Sequence, residues 1–227
     1  MTDLAERLAQ TRLAISEECL RLERVEPTLI VVTKNHSVSL AKQLYELGER
    51  DFGENRVQEA FGKASQLALD ETQGDVRWHL IGQLQTNKVK LALSFSNSIH
   101  SLDRLSLLDE LVKRTVERVE PLEVFIQVNL TDDPHRGGVQ EGELLSFADQ
   151  VAQAPNLNLS GLMAVAGLDK DPKVDFERVA LLSKSLVSNH ETANKLSIGM
   201  SGDYLEALQF GATHLRIGTA ITGNRQY

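Results

Sequence analysis

The sequence predicts an α/β fold: a closed barrel of eight parallel strands, each followed by a helix. Three observations predict it. Eight short apolar or β-branched runs alternate with segments of helical periodicity. No linker or low-complexity tract interrupts them across the 227 residues, so one domain over 1–227 is expected. No Gly-x-Gly-x-x-Gly follows any strand, which argues against the runner-up, an open doubly wound sheet.

An amphipathic helix comes first, over residues 3–24, with Leu4, Leu8, Ile15, Cys19 and Leu22 at helical spacing. Pro27 separates it from Thr28-Leu29-Ile30-Val31-Val32-Thr33-Lys34, a run apolar on both faces, as in a buried parallel strand. Ser37 or Ser39 is placed to cap the next helix, with Leu40, Leu44 and Leu47 as its stripe and Gly48 as its end. A very short strand follows at Asp51–Asn55, then a helix over 56–69. Val76–Gly82 reads as the third strand, Gln85–Ser94 as a helix, and Ser98–Leu102 as the fourth strand. The helix from Asp103 carries Leu105, Leu108, Leu111 and Val112. Leu122–Asn129 is the fifth strand. The loop from Thr131 to Gly138 contains Pro134 and a Gly-Gly pair, and a helix over 141–153 stops before Pro155. Leu159–Ala164, Lys195–Gly199 and His214–Gly218 complete the strands. A polar loop at 167–174, a helix at 175–188 and a short helix at Asp203–Phe210 lie between them.

The bulk numbers exclude several functions. A net charge of −8 argues against a nucleic-acid partner. The single cysteine, Cys19, excludes a disulfide framework and a cysteine-rich metal site, and suits a small buried residue. The N-terminal residues lack a basic region followed by an apolar core, and no apolar run reaches the ~18 residues of a membrane span. A soluble, cytoplasmic setting with no membrane partner is expected.

In a barrel of this kind the C-terminal strand ends form the working face. Lys34 lies at such an end. An ammonium buried there without a partner loses proton affinity, and a neutral amine attacks aldehydes. The plainer reading is a lysine that snorkels into water. Ser197-Ile198-Gly199-Met200-Ser201-Gly202-Asp203 opens a helix with free N–H groups and hydroxyls, which suits a phosphate as well as it suits an ordinary capped helix. Ile217-Gly218-Thr219 follows strand eight and is either a tight turn or the other half of a phosphate cradle; barrels often bind phosphate between these two loops. Arg216, within strand eight, either pairs with a barrel carboxylate or donates to a ring nitrogen. An aldehyde-seeking lysine, a phosphate cradle and a donor for a pyridine nitrogen together describe pyridoxal 5′-phosphate. His36, His79 and His100 come from separate loops without a carboxylate or cysteine at ligand spacing. No metal site is expected, and His79 and His100 read as hydrogen-bonded barrel residues.

These residues resemble a known family. Val32-Thr33-Lys34, Phe52-Gly53-Glu54-Asn55-Arg56-Val57-Gln58-Glu59, Trp78-His79-Leu80-Ile81-Gly82, Ile99-His100-Ser101-Leu102-Asp103, Gly161-Leu162-Met163, the 197–203 segment and Arg216-Ile217-Gly218-Thr219 look like the pyridoxal phosphate homeostasis proteins. Those are similar to the N-terminal barrel of alanine racemase. The resemblance covers nearly the whole chain. It implies a (β/α)8 TIM barrel with an extra N-terminal helix, and pyridoxal phosphate carried on Lys34 as an internal aldimine (a Schiff base). It implies Arg216 at the pyridine nitrogen, Asn55 near the ring, and Ser197, Ser201, Gly218 and Thr219 at the phosphate. The implied function is intracellular vitamin B6 homeostasis by a monomer that binds, buffers and delivers the cofactor to recipient apo-enzymes, without substantial catalysis of its own.

The chain departs from relatives at His36, where a second lysine is common, and at Gln83, Arg136 and Thr222; none is in the Lys34–Ser201–Arg216 set. The alternatives are a pyridoxal phosphate-dependent amino-acid racemase and a lysine-based aldolase. Racemisation needs a second base. Tyr45 and Tyr204 fall on helices and Tyr227 is terminal, so none is an obvious candidate.

Overall fold

A computed structural model describes residues 3–68, 76–131, 136–167 and 171–223. The end of the helix expected to reach residue 69, Pro134, part of the 167–174 loop and Tyr227 lie outside them. The chain runs α1 (Leu4–Arg21), β1 (Thr28–Val32), α2 (Val38–Glu46), β2 (Asp51–Glu54), α3 (Val57–Ala68), β3 (Arg77–Leu80), α4 (Val89–Leu93) and β4 (Ser98–Leu102). It continues through α5 (Leu105–Thr115), β5 (Leu122–Gln127), α6 (Leu144–Gln153), β6 (Leu157–Met163), α7 (Pro172–Asn189), β7 (Lys195–Ser197), α8 (Tyr204–Gln209), β8 (His214–Ile217) and α9 (Thr219–Thr222). The eight strands pair in parallel, in sequence order, and β8 closes on β1 with Ile30 opposite Arg216 and Val31 opposite Ile217.

Alternation along each strand divides the barrel into two cores. Val31, Phe52, Leu80, Ile99, Val124, Ile126, Leu215 and Ile217 face outward and join the apolar faces of the helices in one cluster. Ile30, Val32 and Phe125 are equally buried but lie outside that cluster, within the barrel. Most of their inner neighbours are polar: His79, Ser98, His100, Glu123, Ser197, His214 and Arg216 are all buried. The inside of this barrel is therefore a hydrogen-bonded polar core, and the outer layer supplies most of the hydrophobic driving force.

Several boundaries move. α4 is preceded by a 3₁₀ turn at Thr86–Lys88, β6 begins two residues earlier than its apolar run, and α7 opens at Pro172. The α7 start follows from chemistry, since Asp171 Oδ1 accepts the Lys173 N–H (3.0 Å) and proline suits the first turn. Ser37 occupies the N-cap of α2, but its side chain makes no capping bond. Leu44 of the stripe expected on α2 is buried, with Ala41 beside it, but Leu47 is 44% exposed. The last helix, α9, is too short to show a period. It forms because α1 packs against it and Arg7 Nε donates to the Ile221 carbonyl (2.7 Å).

Candidate functional site

Lys34 sits in a turn directly after β1 and continues the Ile30–Val32 alternation to the barrel mouth. It is half-buried, so the fully buried amine that the strand suggested is not what the fold builds. Among the described residues its Nζ has no hydrogen bond or ion pair. The amine lines a hollow with Asn35, Asn55, Arg56 and Glu59.

The buried lysine of this barrel is Lys63, on α3, at 5% exposure. Its Nζ uses all three donors, to Glu54 Oε1 (2.6 Å), the Thr33 carbonyl (2.8 Å) and Glu59 Oε1 (2.9 Å). Thr33 Oγ1 donates to the same Glu54 oxygen (2.6 Å), and the Asn35 N–H donates to Glu59 Oε1 (2.5 Å). One buried cluster thus grips the residues on both sides of Lys34. Asn35 holds a left-handed φ of 62°, which asparagine tolerates better than most side chains. Burial pushes the Glu54 carboxyl above its usual range, and Lys63 and Thr33 oppose that shift. The sequence carried a signal for Lys63: it shares a helix face with Val57, Ala60 and Leu67, an odd place for a lysine.

Asn55 is exposed beside Lys34, at the loop after β2. Its backbone lies so close to the β3 loop that a Cβ on Gly82 would meet Asn55 O at 2.5 Å and Cα at 2.7 Å. Glycine there is what lets the two loops touch.

Across the mouth, Ser201 Oγ accepts the N–H groups of Gly218 and Ala220 (both 3.2 Å). Thr219 is exposed next to them. Thr222 Oγ1 closes the same turn by donating to the Gly218 carbonyl (3.2 Å). Gly218 lies against Val32, so this group and the Lys34 turn occupy adjacent strand ends.

Ser197 does not join Ser201. It is fully buried and bonded to Arg216, whose Nη1 donates to Ser197 O (2.5 Å) and Oγ (2.7 Å) while Nη2 donates to the Ala164 carbonyl (2.8 Å). Among the described residues no carboxylate pairs with the guanidinium, so the inward ion pair is not seen there. Among the described residues Nε–H is left without an acceptor. Burial brings the Arg216 pKa down to about 10, with Asp203 pulling the other way. At β3 and β4, His79 and His100 are hydrogen-bonded inside the barrel, as expected. Among the described residues no group of three or more His, Cys, Asp or Glu could hold a metal. Of the departures, Gln83 Nε2 donates weakly to Asp103 Oδ2 (3.4 Å), and Arg136 lines a second hollow over β5 and β6 with Gln127, Asn129 and Met163.

The arrangement offers an amine without a partner among the described residues, a buried arginine with one N–H uncommitted, and a hydroxyl held by two backbone N–H groups, on or just after the neighbouring strands β1, β7 and β8. The family model for "alanine racemase, N-terminal domain" matches residues 14–226. The pyridoxal phosphate homeostasis protein of Escherichia coli K12 is 37% identical over 100% of this chain and 99% of its own length. That of Pseudomonas aeruginosa is 34% identical over 100% and 98%. PipY of Synechococcus elongatus, in a structure with pyridoxal phosphate bound, is similar at a TM-score of 0.84 and 32% identity, covering 97% of this chain and all of that one. Alanine racemase of Corynebacterium glutamicum, at 16% identity and a TM-score of 0.70, shares the barrel fold over 61% of its length. The chain belongs to the alanine racemase N-terminal domain family, among the pyridoxal phosphate homeostasis proteins.

Proposed function

We propose that the chain is a cytoplasmic, monomeric carrier of pyridoxal 5′-phosphate, which it binds through Lys34, buffers, and releases to apo-enzymes that need it. The observation that carries the reading is the contrast among three barrel lysines. Lys63 and Lys195 are ion-paired at 2.6 Å to Glu54 and Glu123, while Lys34 Nζ, at the mouth, has no partner among the described residues. The donor set fits the group. Ser201 Oγ accepts from the Gly218 and Ala220 N–H groups, which leaves its own O–H to donate to a phosphate at this turn, and the uncommitted Nε–H of Arg216 suits a pyridine nitrogen. Bound there, pyridoxal phosphate supplies an aldehyde for an amine and a ring that withdraws electrons.

The chain's own residues favour holding over turnover. Arg216 has donors and no acceptor, so it can bond a ring nitrogen but cannot favour a proton on it. The ring is then a weaker electron sink than one facing a carboxylate. A racemase also needs a second base on the opposite face. Tyr45 lies on α2 with Arg50 stacked 3.9 Å over its ring, and Tyr204 lies on α8. Among helices of the described residues, none is long and apolar enough to cross a membrane, which is consistent with the cytoplasmic reading.

The test is the absorbance of purified protein before and after borohydride, with a peptide map of the reduced product. A yellow protein labelled at Lys34, and a colourless Lys34→Ala variant, are expected. A Lys34→Ala variant that stays yellow and is still trapped covalently would overturn the assignment. Racemisation of D- or L-alanine that depends on Lys34 would favour the enzyme instead.

A further inference from the structure

A continuous hydrogen-bonded chain runs through the barrel from its N-terminal end to Arg216. Asp51 opens β2, with its side chain 21% exposed. His79 Nε2 lies 2.8 Å from Asp51 Oδ1, and His79 Nδ1 lies 3.0 Å from His100 Nε2. His100 Nδ1 lies 2.9 Å from Ser197 Oγ, which accepts from Arg216 Nη1 at 2.7 Å.

With neutral imidazoles, one placement of hydrogens satisfies every link. The arginine can only donate, so Ser197 Oγ accepts from it and its own O–H is free to point to His100 Nδ1. His100 then carries its hydrogen on Nε2 and donates to His79 Nδ1. His79 carries its hydrogen on Nε2 and donates to the Asp51 carboxylate. Reversing the chain would set a bare imidazole nitrogen against a carboxylate and leave the serine hydrogen without an acceptor. With both rings neutral, each histidine is the Nε2–H tautomer, and all dipoles point one way between a buried cation and a carboxylate. Aligned bonds of this kind polarise one another in a low dielectric.

We propose that His79 and His100 are positioning residues for the ring-nitrogen donor: the chain fixes Ser197 Oγ as an acceptor, holds the Arg216 guanidinium so that Nε–H is left for a ligand, and carries the field of Asp51 to it. The proposal rests on the reading that Arg216 faces the ring of pyridoxal phosphate. The surroundings of His100 agree with a neutral ring. Phe125 stacks on it at 4.2 Å, and His79, His214, Arg216 and Lys195 face it from β3, β8 and β7. Burial first, and then those basic neighbours, hold its pKa well below the usual value.

The first test uses the cofactor-free protein, with 15N-labelled histidine and two-bond nitrogen–proton NMR between pH 5 and 8. His100 is expected to show a neutral Nε2–H signature throughout. An Nδ1–H tautomer or an imidazolium at His100 would overturn the chain. The second test uses protein loaded with pyridoxal phosphate and the variant Asp51→Asn, which keeps an acceptor for His79 but removes the charge. The visible band's pH midpoint is expected to fall by about half a unit, a roughly threefold loss of proton affinity. Half a unit corresponds to about 0.7 kcal/mol of differential interaction between the two protonation states. A merely structural role for Asp51 leaves the midpoint unmoved, and that result would refute the coupling. A protein that is never labelled at Lys34 sinks the cofactor reading alone, and the tautomer result still decides the chain.

Discussion

Lys63→Met removes the amine beneath the Lys34 turn and keeps most of the side chain's apolar volume. The partners it abandons are worse placed than it was. Glu54 is fully buried, and its Oε2 already has no hydrogen-bond partner. Removing one member of a buried pair costs about 3–5 kcal/mol, because the other charge must stay unpaired or take up a proton. An exposed helical pair such as Glu110–Arg114 is worth only about 0.3–0.5 kcal/mol. In a domain of this size the buried loss corresponds to a fall in melting temperature of roughly 10 °C. Urea and thermal unfolding of the cofactor-free protein measure it. The double variant Lys63→Met/Glu54→Gln should recover part of the loss, since no buried charge is then left alone, and the cycle gives the coupling directly. A single-variant loss below about 1 kcal/mol, or a double variant no better than the single, would refute the claim that this cluster anchors the turn. Retention of the cofactor by the variant should also fall, because Thr33 and Asn35 lose their common tether.

Three further outcomes are expected. His214 titrates near 4 because burial disfavours its charged form, with Glu123 opposing. The unfolded chain therefore binds more protons than the native one between pH 6.5 and about 4, stability falls as pH drops through that window, and His214→Gln should flatten the slope in acid-unfolding curves. Gly82→Ala should destabilise by about 2 kcal/mol or more and weaken cofactor retention, because the new methyl meets Asn55 backbone; equal unfolding midpoints for variant and parent would contradict it. Thr222→Val loses one hydrogen bond to the Gly218 carbonyl and should cost about 1 kcal/mol, with a smaller effect on colour than Lys34→Ala.

The order of eight strands and their helices was legible in residues 28–218 because period and length are local properties. Ser98–Leu102 falls on β4 with both boundaries kept. What the sequence could not show was which side of each strand faced inward, because both faces are buried and the alternation is hidden. His79 and His100 are two histidines on separate strands until closure brings their nitrogens within 3.0 Å. Lys63 stands on the apolar face of α3 in the sequence, but its partner Glu54 becomes visible only when α3 packs and seals the two together. Ser197 and Ser201 look like one motif, four residues apart, yet the fold sends the first into the barrel to Arg216 and the second to the N–H groups after β8.

The sequence by itself determined the barrel, its N-terminal helix and the family, since these follow from patterning along the chain and from motifs. Only the tertiary structure decided which lysine is free and which is locked, because partnership depends on what closure places within 3 Å of each amine.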